Sequence, residues 1–413
     1  MDSEVAKQHI NKYSKYIRGT ILLSLTLLIF VNPFQNHVSA LTEIFFYTAL
    51  AFASLLLLSS ATRPDFNSPL GLPFLFFLLW AFASAIWAFD RENTLHDVYR
   101  HLLRHLVLYY MLISFFVRKE HFLVLVWSFI TSIAIFSLGA VIYVYIISAN
   151  PLSFRLEVRG VGPNQIAQLC VFGMILSLFY LPMAGKWHEK IVLLICFIST
   201  FSAVVLTYCR AALLALAAGC FFLLFTPKFK KSLVFATVFI FTVAIIIFNL
   251  SPHQQSRLSF DRISKDLRIS IYATDYAMIK DKPFAGFGYG AEAFKKNFFK
   301  FNKSLPQRFA LQEEFPHPHN IFVDIFIRLG LVGFVLFCWI LFRVFKMARE
   351  LIIGVKDPFV KKWGTCMTAC LIAFLTLGLL GNILNSRNAV ILYTIMAMIT
   401  ILWKIHRSAK EVD

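Results

Sequence analysis

Long apolar runs, separated by short clusters of polar and basic residues, recur along the whole chain. A helix crosses a bilayer with about 20 mostly apolar residues, and the runs divide into twelve predicted spans. These are 19–34, 41–61, 69–89, 96–117, 121–147, 163–184, 190–209, 211–226, 232–250, 320–345, 363–381 and 388–404. The break between the seventh and eighth rests on Arg210 marking a tight turn. The polar stretch from Met1 to Arg18 carries both charge signs, and no small-residue cleavage site follows the first run. Gly19 to Phe34 is therefore read as a membrane helix and not as a cleaved signal. The expected fold class is an all-α polytopic membrane protein of about twelve helices with one large extramembrane loop. It divides into helices 1–9 over residues 1–250, the loop over 251–319, and helices 10–12 with a short tail over 320–413.

Composition strengthens that reading. Of 413 residues, 59% are hydrophobic and 15% charged, and the mean hydropathy is +0.71. A water-facing surface needs far more polar residues than this, which excludes a soluble globular domain. The net charge of +18 lies in short clusters between apolar runs and not in one soluble patch, which argues against a nucleic-acid partner. The clusters instead set the orientation. Loops on one side carry 21 lysines and arginines, against five in the alternate short loops: Arg91, Arg155, Arg159, Arg210 and Arg387. The first set is expected to be cytoplasmic, together with both termini. Ser251 to His319 then falls on the periplasmic side. The seven cysteines form no CxxC pair and read as buried free thiols.

Within the long loop, Arg262 to Lys280 reads as an amphipathic helix, and Pro283, Gly286, Gly288 and Gly290 mark a turn-rich stretch. Phe294, Phe298, Phe299 and Phe301, mixed with lysines, are expected at the lipid headgroup interface.

The outward loops collect most of the candidate chemistry. Arg210 sits in TYCRAA with almost no loop around it, where an arginine is costly. It either snorkels to the headgroups or, as the short outward turn favours, serves as a functional cation. Arg155 and Arg159 precede a GVGPNQ turn, whose Asn164 either caps the sixth helix or contacts a ligand. Arg268 lies on the loop helix, either as a solvated residue or as an anion ligand. His319, in HPHN before the tenth helix, has the side chain best suited to general-base work near neutral pH, with His317 as a competitor. Asp324 and Arg328 are four apart and can pair on one helix face. Arg100, His101, Arg104 and His105 either add to an anion pocket or bridge helices. No P-loop, GxGxxG, HExxH or outward DxD motif occurs. Arginines with a histidine, and no metal motif, suit an anionic leaving group stabilised by charge alone.

These residues resemble the O-antigen ligase family, within the wider group of O-antigen polymerases and bacterial protein O-oligosaccharyltransferases. The family signature is His, then Asn, Ser or Gln, nine residues, Gly, two residues, then Gly, Thr or Tyr. It reads here as His319-Asn320, nine residues, Gly330, Leu331-Val332, Gly333. TYCRAA with Arg210 is similar to the first half of the family's conserved region, and Arg268 before KPFAGFGYG to its second arginine. Arg159 to Gln165 is similar to its glycine–asparagine turn. The resemblance covers roughly residues 155–345. Cys209 stands where the family usually has serine, and Tyr272 where it often has tryptophan.

The resemblance implies a membrane glycosyltransferase of the GT-C class, with no cofactor and no metal. Its donor would be a glycan on undecaprenyl pyrophosphate and its acceptor the lipid A–core of a Gram-negative inner membrane. His319 would be the catalytic base, Arg210, Arg268 and Arg159 would hold the donor's pyrophosphate, and Asn320 and Asn164 would support them. A polymerase or protein-glycosylating enzyme differs in acceptor only; the short tail and single large loop favour the ligase. A secondary transporter, the rival from another class, should show two similar halves, and none are found.

Overall fold

The computed structural model describes residues 2–58, 65–224, 242, 267–309, 311, 315, 317–381 and 387–410, and these are overwhelmingly helical. The helices are α1 (Asp2–Val31), α2 (Ser39–Leu58), α3 (Gly71–Ala83), α4 (Arg91–Asp97), α5 (Arg104–Phe115), α6 (Lys119–Val141) and α7 (Pro163–Tyr180). After α8 (Trp187–Leu206) and α9 (Arg210–Leu224) come two loop helices, α10 (Leu267–Asp281) and α11 (Glu292–Asn302). The chain closes with α12 (Ile321–Ile353), α13 (Pro358–Leu380) and α14 (Arg387–Lys410).

Eight helices among the described residues are long and apolar enough to cross a membrane, and two shorter apolar helices, Gly71–Ile86 and Arg210–Leu224, accompany them. The protein is a helical multi-pass membrane protein. The predicted fourth span, 96–117, is built from α4, a π turn at Val98–Leu103 and α5 in succession. Apart from residue 242, the predicted ninth span, 232–250, lies outside the described residues, as do the first residues of the predicted loop helix.

The bundle has an inside and a periphery. Of α7's apolar window, 83% is buried, against 28% of α2's. Around α7 pack α6, α8, α9 and α13, and α5 packs on α14. α7 carries Gln168 and Ser177, both buried, and a central place keeps these polar groups away from lipid. One end of the bundle is tied by basic residues: Lys119 to Asp357 at 2.6 Å, Lys404 to Asp65 at 2.9 Å, and Arg343 Nε to the Pro69 carbonyl at 3.1 Å. Lys119, Arg343 and Lys404 are among the residues that the charge count groups on one side.

The loop is anchored into a break in α12. Gly330 has φ +65° and ψ −166° inside that helix, so main-chain groups on both sides lose their helical partners. The 283–288 turn supplies replacements. Phe287 N–H donates to the Ile327 carbonyl and Gly288 N–H to the Arg328 carbonyl, both at 2.9 Å, while Leu331 N–H donates to the Pro283 carbonyl at 2.8 Å. Trp80 Nε1 takes the Leu329 carbonyl at 2.9 Å, and Trp87 Nε1 takes that of Ala285 at 2.9 Å. Each such bond contributes about 0.5–1.5 kcal/mol net, and an orphan group in an apolar bundle costs more than that. A Cβ on Gly330 would overlap the Phe284 carbonyl, and one on Gly286 the Arg328 carbonyl. The two glycines of the signature therefore have separate reasons: Gly330 breaks the helix and admits the turn, and Gly333 leaves room for Leu329.

The phenylalanines expected at the headgroup interface are placed otherwise. Phe294, Phe298 and Phe301 are buried, and with Ile271, Met278, Phe287 and Ile327 they form a core that joins α10 and α11 to α12. Phe299 is partly buried against the same cluster. Burial within the loop removes their apolar surface from water without any lipid contact.

Candidate functional site

His319 lies two residues ahead of Ile321, the first residue of α12, and follows the buried Pro318. Asn320 is the N-cap: its Oδ1 accepts from the N–H groups of Phe322 at 2.9 Å and Val323 at 3.4 Å. The cap fixes where the helix starts and hence where His319 stands. The His319 ring is partly buried, 5.5 Å from that of His317 and 6.5 Å from that of Phe315, centre to centre. Burial, then the nearby Arg328 charge, lowers the His317 pKa. Arg328 is itself held by Asp324, Nε to Oδ1 at 2.9 Å, the pair expected from their spacing, and it donates to the Tyr289 carbonyl at 3.1 Å.

Arg210 opens α9 after a three-residue turn, as its position in TYCRAA predicts, and its side chain is exposed. Tyr208 in that turn adopts φ +51°, a left-handed conformation rare for a non-glycine residue. The segment before α7 holds the turn in place. Leu156 N–H donates to the Leu206 carbonyl at 2.9 Å, and Tyr208 Oη donates to that of Leu152 at 2.9 Å. Arg155 Nε donates to the Thr207 carbonyl at 3.0 Å, and its Nη2 donates to Asn164 Oδ1 at 3.4 Å. Cys209 lies within electrostatic reach of both Arg155 and Arg268. The structure thus gathers the Arg210 turn, Arg155, Asn164 and Arg268.

Two expectations are refined. Asn164 sits inside the first turn of α7, where Gly162 holds the N-cap position and Pro163 opens the helix, so it binds Arg155 and does not cap. Arg159 is exposed in the turn closed by the Val158–Val161 bridge, and Arg155, four residues earlier, is the arginine joined to the Arg210 turn. Both arginines precede the same motif, and nothing in the spacing separates them.

Helix α10 runs from the arginine side to α12, the helix that follows His319. It carries exposed Arg268 at its start and buried Asp275 two turns on, and it packs against the α12 segment that carries Asp324. Neither Asp275 oxygen, nor Asp324 Oδ2, has a hydrogen-bond partner among the described residues. Burial, then the Asp324 charge, pushes the Asp275 pKa up to about 8. At the docked turn, Asp97 Oδ2 accepts from Ala291 N–H at 2.7 Å, and Asp90 pairs with Lys296, which holds that carboxyl below the usual range.

This arrangement defines a class: a multi-pass helical membrane protein whose loop is docked into a break in a membrane helix. Residues 194–338, about a third of the chain, match the family described as O-antigen ligase. The match takes in Arg210, Arg268, His319, Asn320, Gly330 and Gly333. The match supports a transferase role, and lipid-linked glycan substrates in general, at a coarse level. No curated protein matches the chain.

Proposed function

We propose that this protein is an O-antigen ligase, transferring a glycan from undecaprenyl pyrophosphate to a sugar hydroxyl of lipid A–core on the periplasmic face of the inner membrane. The observation that carries the reading is the position of His319 directly before the capped start of α12, inside the family-matched segment that also holds Arg210 and Arg268. The full topology in this reading is twelve spans with both termini cytoplasmic and a GT-C-like arrangement.

In the reaction, the acceptor hydroxyl oxygen attacks the anomeric carbon of the donor from the face opposite the pyrophosphate. The new C–O bond forms as the bond from carbon to phosphate oxygen breaks, which inverts the centre. His319 takes the hydroxyl proton. Undecaprenyl pyrophosphate leaves with the electron pair, and Arg210, Arg268 and Arg159 hold the charge that develops on it, so no metal is needed. Asn320 supports His319 through the helix start, and Asn164 supports the arginine group through Arg155. The test supplies purified protein with lipid-linked O-antigen, with and without lipid A–core, in chelator. Glycan-modified core is expected; lengthened lipid-linked glycan without modified core would make the protein a polymerase.

A further inference from the structure

A cavity of about 700 Å³ opens among α1, α2, the π turn leading into α5, and the turn before α7. None of His319, Arg210 and Arg268 lines it. Its size falls within the range of ligand pockets, roughly 300–1,000 Å³. Its wall is unusually polar for the end of an apolar bundle. Asn32, Gln35, Asn36, Ser39, Thr42 and Gln165 are among the residues that line it. Gln165 Oε1 is buried with no hydrogen-bond partner among the described residues, and a polar atom left so costs free energy unless a ligand or water meets it. Asn36 bonds the Gly160 carbonyl and so fixes the α7 turn as one side of the cavity.

The charged residues have distinct tasks. Arg104 pairs with Glu43 at 2.5 Å and lies over the Phe46 ring at 4.7 Å, which joins α5 to α2. Arg100 has no acidic partner among the described residues; its guanidinium contacts His96 at 3.5 Å. It is carried on the π turn at Val98–Leu103, a distortion that often marks functional positions in helices. With Glu43 offset by Arg104, Arg100 leaves this wall net positive.

Position links the cavity to the transfer site. Gln165 follows Asn164, which Arg155 ties to the turn before Arg210. On the other flank, His101 lies within electrostatic reach of Arg328, as His317 does. The cavity is thus joined to the arginine group through Asn164 and Arg155, and faces the histidine group only across Arg328.

We propose that this cavity binds the phosphorylated saccharide head of the glycolipid acceptor, with Arg100 on a phosphate and the amide wall on sugar hydroxyls. A guanidinium suits a phosphate, and neutral amides offer both donors and acceptors to a polyol. The assignment to the acceptor rests on the ligase reading, in which the donor's pyrophosphate is held by Arg210, Arg268 and Arg159.

The test uses the full-length protein in nanodiscs and two measurements. In the first, binding of phosphorylated lipid A–core is compared with that of the phosphatase-treated molecule. The wild type should prefer the phosphorylated form at least tenfold, His319→Ala should keep that preference, and Arg100→Gln should lose it, with Arg100→Lys restoring part. In the second, Arg100→Gln should raise the acceptor KM at least tenfold while leaving kcat and the donor KM unchanged. Equal binding of both forms by the wild type, a preference that survives Arg100→Gln, or a rise in donor KM instead would overturn the proposal. Phosphate-dependent binding without any transfer would refute the ligase reading and leave the cavity a phosphosaccharide site. A matching wild-type thermal midpoint establishes that Arg100→Gln is folded, and Gln165→Ala, which should weaken acceptor binding too, gives an independent variant.

Discussion

The imidazole rings of His317 and His319 stand 5.5 Å apart, centre to centre, and are inclined at 63°. Only Pro318 separates them in sequence, yet their surroundings differ. Burial and Arg328 favour the neutral form of His317, while His319 abuts the helix start that Asn320 caps.

This asymmetry predicts unequal costs. A positioned general base contributes roughly 10²–10⁴-fold to rate, so His319→Ala should lower the transfer rate by that amount. His317→Ala should cost less than about tenfold, within the effect expected of a packing change of about 1.4 kcal/mol. Initial rates of glycan-modified core formation, measured for the two variants side by side, check the difference. Equal losses would mean that the pair acts as one unit.

Arg210 and Arg268 are expected to act on charge that appears as the pyrophosphate departs. Removing one preorganised stabiliser of such charge costs about 10²–10³ in kcat. Arg210→Ala and Arg268→Ala should each fall in that range. Steady-state rates alongside thermal midpoints separate loss of chemistry from loss of fold.

Gly330→Ala should be severe for a structural reason. The residue's φ of +65° disfavours any Cβ, and that atom would overlap the Phe284 carbonyl. A destabilisation of about 2–4 kcal/mol is expected, with the 283–290 turn released from α12. Gly139→Ala in α6, where nothing lies within 4 Å of the added atom, should be neutral or stabilising by up to about 1 kcal/mol. Thermal unfolding and limited proteolysis of the loop read both variants.

Much of the helical frame was legible in the sequence, because apolar periodicity is local. The sixth span, read as 163–184, matches the observed Pro163–Met183, and Arg210 does mark the turn between α8 and α9. The Asp324–Arg328 pair follows from helical spacing alone. Features that depend on distant segments were not legible. HPHN with its two downstream glycines is readable as a motif, but the use of Gly330 to admit the 283–290 turn depends on chain about 40 residues away. The phenylalanines of α11 face a core shared with α10 and α12, which the pattern of one helix cannot reveal. The cavity beside Arg100 is built from four separate stretches of chain, and no single stretch announces it.

Asp275 gives the fold a pH dependence of definite sign. Its pKa is raised to about 8 in the native state, whereas an unfolded aspartate titrates near about 4. The native state holds the proton that the unfolded chain releases, so stability is undiminished below about pH 4 and is lost progressively as pH rises to about 8. Thermal midpoints measured between pH 5 and 9 should therefore fall across that interval for this residue. Asp275→Asn, uncharged throughout, should flatten the fall and raise the midpoint at the alkaline end; an unchanged profile would place the ionisation elsewhere.

The most direct test of the account is transfer in vitro: purified protein, undecaprenyl-pyrophosphate-linked O-antigen and lipid A–core in chelator, with His319→Ala run in parallel. The account predicts a ladder of glycan-modified lipid A–core from the wild type and none above background from a variant that is folded and still binds both substrates. Wild-type rates from His319→Ala would contradict it.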